Sequence, residues 1–493
     1  MGGYCHLHIS NEEAMIFDFS QSANLPEFDV CVVGAGPAGI TLALKMAEIG
    51  LHVGLIEAGG MEYGQQSQDV YKIESLGRDL YAESTRLRYF GGTSNHWSGR
   101  CRPFVKEDFE RAIAGDLPGW PISFDELNRY QPEAMQILDI PENGFATENE
   151  SFDGGYFEAD HFALSPPTRF AEKYKKQLEE HNNVNLYLNC NLIDVRYDRI
   201  SGGVVQLSAA GYDKQQRAVK AKNYVLAMGG IENSRMLLNS VSLMAVDHIN
   251  SMTGVGFMEH LNVELGEFVV KDQEIEQDWS VFTTPRLVKE KDVGRGNVSF
   301  GVVRQLKSYG RTAKVKTFLK GLVCDLGLDD KIELITRINC PGEGVIGTLL
   351  EQFPERSGNR IELSDETDYF GLRRAKLNWQ LSERDIKTVK VVAMEAAKAF
   401  ADSGLGFVKL RDYILRDDVF MPVSPHAHHM GGTRMAADKA DGVVDENCKV
   451  FGVSNLFIAG SSVFATGGGG NPTMPLIQLT LRLADHLRRI VKA

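Results

Sequence analysis

Three histidines fall close together in the run His426-Ala427-His428-His429-Met430-Gly431-Gly432-Thr433-Arg434-Met435. An imidazole with an ordinary pKa of about 6.5 is largely neutral near pH 7 and can accept a hydroxyl proton. Zinc binding is a competing chemistry for such a cluster, but no Cys or acidic ligands accompany it, and no metal is expected. A purely structural cluster is the third reading, and on spacing alone any of the three histidines is a candidate base. A second polar group stands in Gly467-Gly468-Gly469-Gly470-Asn471-Pro472-Thr473-Met474-Pro475. Asn471-Pro472 reads as a helix start, with Asn471 as N-cap and Pro472 as the first helical residue. The rival use of Asn471 is as a partner to a histidine, and a side chain that caps its own helix is less free for that.

A third constellation binds rather than reacts. Gly34-Ala35-Gly36-Pro37-Ala38-Gly39 follows the apolar run Phe28–Val33 and opens a helical pattern from Pro37 to about Ile49. Gly34 permits the tight turn, Gly36 lets backbone approach a pyrophosphate, and Gly39 lets helix and strand pack closely. A second strand, His52–Ile56, ends at Glu57, whose carboxylate can accept hydrogen bonds from a ribose diol. These elements form a strand–helix–strand dinucleotide unit. The sequence holds no second complete fingerprint, so electrons are expected to come from a substrate and not from a second nucleotide.

Paired glycines recur in Arg88-Tyr89-Phe90-Gly91-Gly92-Thr93-Ser94-Asn95-His96-Trp97, where close backbone approach is combined with short polar side chains. Together with the fingerprint, this run resembles the glucose–methanol–choline oxidoreductases. The His96-Trp97 pair is similar to the pyranose 2-oxidase and bacterial glycoside 3-oxidase or dehydrogenase branch. The resemblance extends from Phe28 to Arg489. It is strongest over 30–60, 86–103 and 426–480, and thin over about 270–345.

The resemblance implies an FAD enzyme. Ala58, after Glu57, favours FAD over NAD, and Gly91, Gly92, Ser94, Asn95, His96 and Trp97 are expected to hold the flavin. A covalent link through His96 is open but not favoured, because other branches carry His-Trp with a non-covalent flavin. The register of the histidine run makes His428 the base, with His426 and His429 as competitors, and makes Asn471 its partner. Further flavin contacts are implied at Ala227, at Gly460 and Ser461, and at Pro472 and Thr473. Leu192 is expected to give adenine a backbone contact. Gln352 is a candidate substrate contact, with a surface role equally open, and His260 is read as structural. The implied reaction is oxidation of a secondary hydroxyl, at C2 or C3 of a sugar or glycoside, to a ketone. A non-sugar alcohol is the first alternative, and a lyase with a structural flavin is the second.

The elements that must position these groups mix periodicities. Helical stretches at Asp125–Leu138, Phe170–His181 and Thr473–Arg489 alternate with strand-like runs at Val204–Leu207, Val263–Val270, Val298–Val303 and Asn455–Ala459. The expected fold is α/β (α+β): a Rossmann-like FAD-binding domain with an interleaved substrate-binding domain containing a mostly antiparallel sheet. The expected FAD segments are 26–100, 185–262 and 425–493. The substrate segments are 101–184 and 263–424, and 1–25 form a polar leader.

The 493 residues carry a formal net charge of −13 without long runs of one sign. Nucleic acid is therefore excluded as a partner, because phosphate binding needs a basic surface. No apolar run is long enough to span a bilayer. The start of the chain lacks the basic and apolar regions of a secretory signal. The seven cysteines form no C-x-x-C pair, and cytoplasmic free thiols are expected. Expected partners are a small sugar or glycoside and an electron acceptor, either oxygen or another. A homo-oligomer or an electron-transfer subunit is also open.

Overall fold

The computed structural model describes residues 16–22, 24–110, 113–145, 155–159, 162–244, 246–270, 279–302 and 343–492. Phe28–Val33 and Val53–Ile56 pair in parallel and are almost wholly buried, as strands covered on both faces must be. They lie at the centre of a six-stranded sheet. Its spatial order is Ile16–Asp18, Val184–Leu188, Val53–Ile56, Phe28–Val33, Ala221–Leu226, Leu456–Ile458, and every pairing is parallel. The helix Pro37–Glu48 starts with proline at its first position, where a missing N–H costs nothing, and packs against the helix Thr473–Lys492. The two ends of the sequence thus meet over one core.

A second, antiparallel sheet carries the middle of the chain. His260–Val270 pairs with Glu343–Glu351, which is followed by Gly296–Val302, Trp279–Thr283 and Phe157–Ala159, while Gly406–Leu410 closes the other edge. The helix Glu383–Asp402 lies against this sheet. Ser382 and Asp385 form a reciprocal capping box that satisfies its first N–H groups. Each sheet has its own cluster of buried apolar side chains. Mixed helix and sheet, with a parallel nucleotide sheet and an antiparallel one beside it, is the expected fold class.

Several expected elements change at their edges. The helical stretch Asp125–Leu138 is two helices, Phe124–Asn128 and Gln131–Ile137, because Pro132 has no N–H to continue the ladder. The strand Ile16–Asp18 lies inside the stretch read as a leader. The strand Glu74–Gly77 pairs in parallel with Arg373–Trp379, so one strand from 26–100 joins a strand from 263–424. Among the described residues, no helix is long and apolar enough to cross a membrane.

Candidate active site

A cavity of about 380 Å³ opens where the parallel sheet meets the run after Ser424. Its walls include Gly34, Gly36, Ala38, Glu57, Gly92, Ser94, His96 and Trp97 from the first hundred residues. Across from them stand Ala227, His428, Gly460, Ser461, Asn471, Pro472 and Thr473. Residues far apart in sequence that were expected at a flavin therefore line one cavity.

Three helices present their N-terminal ends to this cavity: Pro37–Glu48, Gly229–Asn239 and Thr473–Lys492. Such ends favour anions, through free N–H groups and the helix dipole. Gly36, Gly229 and Gly460 line the cavity, and no atom stands within 4 Å of where a Cβ would be placed. Gly39 differs: a Cβ there would lie 1.8 Å from the Gly34 carbonyl oxygen, so it serves helix–strand contact. The Glu57 carboxylate accepts from the Ala35 N–H at 2.8 Å and from the Gly59 N–H at 2.9 Å, using one oxygen for each. Each oxygen keeps a lone-pair site for a ribose hydroxyl. Open glycine backbone, converging helix ends and an acceptor carboxylate fit a dinucleotide such as FAD.

The histidine run bends sharply at Ala427, a non-glycine residue with φ of 64°. Left-handed backbone is costly for alanine and marks a turn held by its surroundings. It sets the His426 and His428 rings nearly parallel, 5.7 Å apart. His428 Nε2 lies 2.9 Å from Asn471 Nδ2, and His428 Nδ1 lies 2.9 Å from His260 Nδ1. His260 Nε2 in turn meets the Gly468 carbonyl oxygen at 2.9 Å. The backbone N–H of His428 donates to both oxygens of Glu259, at 2.7 and 2.9 Å, and the His260 N–H donates to Oε1 at 2.8 Å. His426 Nε2 is 3.2 Å from the Thr348 carbonyl oxygen, which requires it to be a donor.

Burial dominates the electrostatics. It holds His428 well below the usual histidine range and pushes His260 down to about 4 and His429 to about 3. Neighbouring histidines lower His428 further. The fully buried Glu259 carboxyl is pushed up to about 8 by desolvation, against the N–H donors that oppose it. The three clustered histidines and His260 are therefore neutral near pH 7. Neutral imidazole is the form that can accept a proton.

Asn471 does not cap its helix. The helix starts at Thr473, and the Pro472 carbonyl receives the Leu476 N–H at 3.0 Å. Asn471 Nδ2 is spent on His428, and its Oδ1 is buried with no hydrogen-bond partner. A buried unpartnered acceptor at a cavity wall is a place for a ligand.

Other expectations need correcting. Gln352 is fully buried and faces no substrate. Its Oε1 accepts from the Glu259 N–H and from Trp379 Nε1, while Nε2 donates to the Gln380 carbonyl and to Asp385. All four of its hydrogen-bonding positions are used. Leu192 is buried in the strand Asn191–Asp198 and lies off the cavity wall. Gly91, Asn95 and Ala58 also lie off it. Asn95 Nδ2 donates to the Phe90 carbonyl and faces a separate groove with Arg169, and the Ala58 carbonyl accepts from Tyr212. Ser461 and Ser94 do line the cavity; the Ser461 hydroxyl donates to the His429 carbonyl at 2.7 Å and keeps its oxygen as an acceptor. Ser94 likewise donates to Gly91.

Tyr71, Thr85, Arg86 and Leu87 also line the wall, and no motif of the sequence singles them out as contacts. Arg86 pairs with Glu232 at 3.0 Å, and Arg235 pairs with the other Glu232 oxygen at 2.9 Å. Glu232 lies in the first turn of the helix Gly229–Asn239, but nothing local marks its arginine partner. Among the described residues, no group of His, Cys, Asp and Glu could hold a metal ion.

Comparison with known proteins agrees with this geometry. Residues 29–294 match the FAD dependent oxidoreductase family, and residues 354–480 match the GMC oxidoreductase family. The chain is 24% identical to a 2-methyl-1,2-propanediol dehydrogenase of Mycolicibacterium austroafricanum, over 94% of this chain and 95% of that protein. It is 30% identical to a C-glycoside 3-oxidase of Microbacterium trichothecenolyticum, over 27% of this chain and 25% of that one. The solved pyridoxine 4-oxidase from Mesorbium loti superposes with a TM-score of 0.60 at 16% identity, covering 94% of this chain and 99% of that one. The chain belongs to the glucose–methanol–choline family of FAD-dependent oxidoreductases, enzymes that act on alcohol groups.

Proposed function

We propose that the protein oxidises a secondary hydroxyl of a sugar or glycoside, at C2 or C3, to a ketone, with His428 as the base and Asn471 orienting the reacting oxygen. The observation that carries this reading is the pair itself. His428 Nε2 and Asn471 Nδ2 meet at 2.9 Å on the cavity wall, with Asn471 Oδ1 left unpartnered. Bound FAD supplies the acceptor for the hydride that leaves the carbinol carbon. The substrate hydroxyl takes the place of the Asn471 contact at His428 Nε2, which then receives the hydroxyl proton, while Asn471 Nδ2 turns its N–H to the substrate oxygen. Burial keeps His428 neutral and so ready to accept. A positioned base of this kind contributes roughly 10²- to 10⁴-fold in rate.

Gly34, Gly36, Glu57 and Gly460 would hold the cofactor, and segments 26–100, 185–262 and 425–493, with the strand Ile16–Asp18 added and Glu74–Gly77 left to the other side, form the domain that carries it. The described cysteines Cys31, Cys101, Cys190 and Cys448 are free and buried, which supports a cytoplasmic setting. The carbohydrate assignment is supported by the Asn95-His96-Trp97 and Asn471-Pro472-Thr473 motifs and by the glycoside oxidase among the relatives. A second reading, a small non-sugar diol, is favoured by the relative named for 2-methyl-1,2-propanediol.

Anaerobic mixing with a panel of alcohols tests both. Loss of the yellow flavin absorbance with sugars or glycosides, and a ketone in the product NMR spectrum, is the expected result. Bleaching by diols alone would favour the second reading. Product cleavage without bleaching would indicate a lyase, and an intact flavin with every substrate would overturn the enzyme assignment. His428→Ala should abolish bleaching while His429→Ala retains it, and the reverse would move the base to His429.

A further inference from the structure

We infer that His260 is a positioning residue that fixes His428 in the one tautomer able to act as a base. This inference rests on the assignment of His428 as the proton acceptor. The carbonyl oxygen of Gly468 carries no hydrogen. His260 Nε2, 2.9 Å away, must therefore be the donor in that bond. A neutral imidazole has one N–H, so His260 Nδ1 then carries a lone pair. The atom facing it at 2.9 Å is His428 Nδ1, which must be the donor. His428 Nε2 is left with its lone pair, and the group facing it at 2.9 Å is the donor Nδ2 of Asn471.

Three successive hydrogen bonds thus run one way, from Asn471 through His428 and His260 to a backbone carbonyl. Reversing the His428 tautomer would oppose lone pair to lone pair at His260 and N–H to N–H at Asn471. It would also leave no lone pair at Nε2 for a hydroxyl proton. The neutrality of His260 that the argument needs follows from its complete burial.

The surroundings hold this register. Glu259 Oε1 accepts the backbone N–H of both His260 and His428, which ties the two histidines to one oxygen. The Glu351 carboxylate accepts the Gly468 N–H at 3.3 Å and so anchors the residue whose carbonyl ends the relay. Once His428 has taken a proton at Nε2, its Nδ1–H still points at the His260 lone pair. The resulting cation keeps its hydrogen-bond partner.

The test uses FAD-loaded enzyme labelled with ¹⁵N-histidine, together with anaerobic flavin-reduction rates. The His428 signals are assigned by their loss in His428→Ala. In the wild type, Nδ1 should be protonated and Nε2 unprotonated. His260→Asn places an amide oxygen near the old Nδ1 position. It should keep that tautomer and stay within about tenfold of the wild-type rate. His260→Phe removes the acceptor. It should give a mixture of tautomers and a rate lower by roughly 10²-fold with substrate binding little changed.

If His260→Phe does not fold, His260→Gln replaces it, because its amide lies toward Gly468 and leaves His428 Nδ1 unmet. The inference is overturned if the variant lacking the acceptor keeps a single Nδ1-protonated tautomer. It is equally overturned if folded His260→Asn is as slow as that variant. An active His428→Ala would instead refute the assignment of the base, and the tautomer spectra would remain a separate result.

Discussion

Gly36→Ala should separate holding the cofactor from holding the fold. Gly36 has φ −89° and ψ −172°, a conformation open to any residue, and no atom lies within 4 Å of its absent Cβ. The apoprotein should accept the methyl group without strain and gain about 0.4–1 kcal/mol from a less flexible unfolded chain. The same methyl projects into the cavity where a pyrophosphate must approach. FAD at 100 times its dissociation constant stabilises the wild type by about 2.7 kcal/mol. A hundredfold weaker site would keep only about 0.4 kcal/mol of that, so the FAD-loaded variant should lose about 2 kcal/mol. Gly39→Ala is the contrast: its Cβ would sit 1.8 Å from the Gly34 oxygen. Its apoprotein should therefore lose roughly 1–3 kcal/mol or more from overpacking. Urea denaturation with and without FAD, and flavin absorbance per protein, read both effects. A Gly36→Ala apoprotein destabilised by more than about 1 kcal/mol, or one with wild-type flavin occupancy, would refute the reasoning.

Other consequences can be measured directly. Glu259 has a folded-state pKa raised from 4.5 to about 8, so its contribution is fully present below pH 4.5 and lost as pH rises through 8. Relative to Glu259→Gln, which cannot titrate, the wild type should lose about 3–4 kcal/mol between pH 5 and pH 8 in urea titrations. A difference that does not change with pH would mean that the backbone donors outweigh burial. Gln352→Leu should leave several buried polar groups unpaired and cost at least about 3 kcal/mol, with KM unchanged. A raised KM at wild-type stability would restore Gln352 as a substrate contact. Acid precipitation should release free flavin into the supernatant. Flavin retained in the pellet, and lost from it in His96→Ala, would reveal a covalent link.

The parts of the site that were legible in the sequence are those whose geometry is local. Gly34 to Gly39 and Glu57 belong to one strand–helix–strand unit, where the glycine spacing itself describes the turn. The role of Gln352 is not local: its four partners come from the strand ending at Trp379, from the peptides at Glu259 and Gln380, and from the start of the helix at Glu383. No sequence window contains them. Asn471 looked like a cap because Asn-Pro favours one, but the demand of His428 for a donor overrides that local preference. The pairing of Arg86 with Glu232 and the docking of His260 on His428 join residues far apart in the chain, so periodicity carries no trace of either. The relay at His260 becomes visible only when the Gly468 carbonyl fixes its direction.

The order of the parallel sheet also has a consequence for how the protein is made. Ala221–Leu226 stays an open sheet edge until Leu456–Ile458 pairs with it, about 230 residues later. At roughly 5–20 residues per second, a ribosome needs on the order of 10–50 s to deliver that strand. Until then the Gly34–Gly39 turn lacks the Gly460 and Asn471 side of its cavity, and an exposed strand edge invites pairing with other chains. Cofactor capture therefore belongs to the finished chain, and riboflavin supply should govern how much full-length product survives quality control rather than how much is translated.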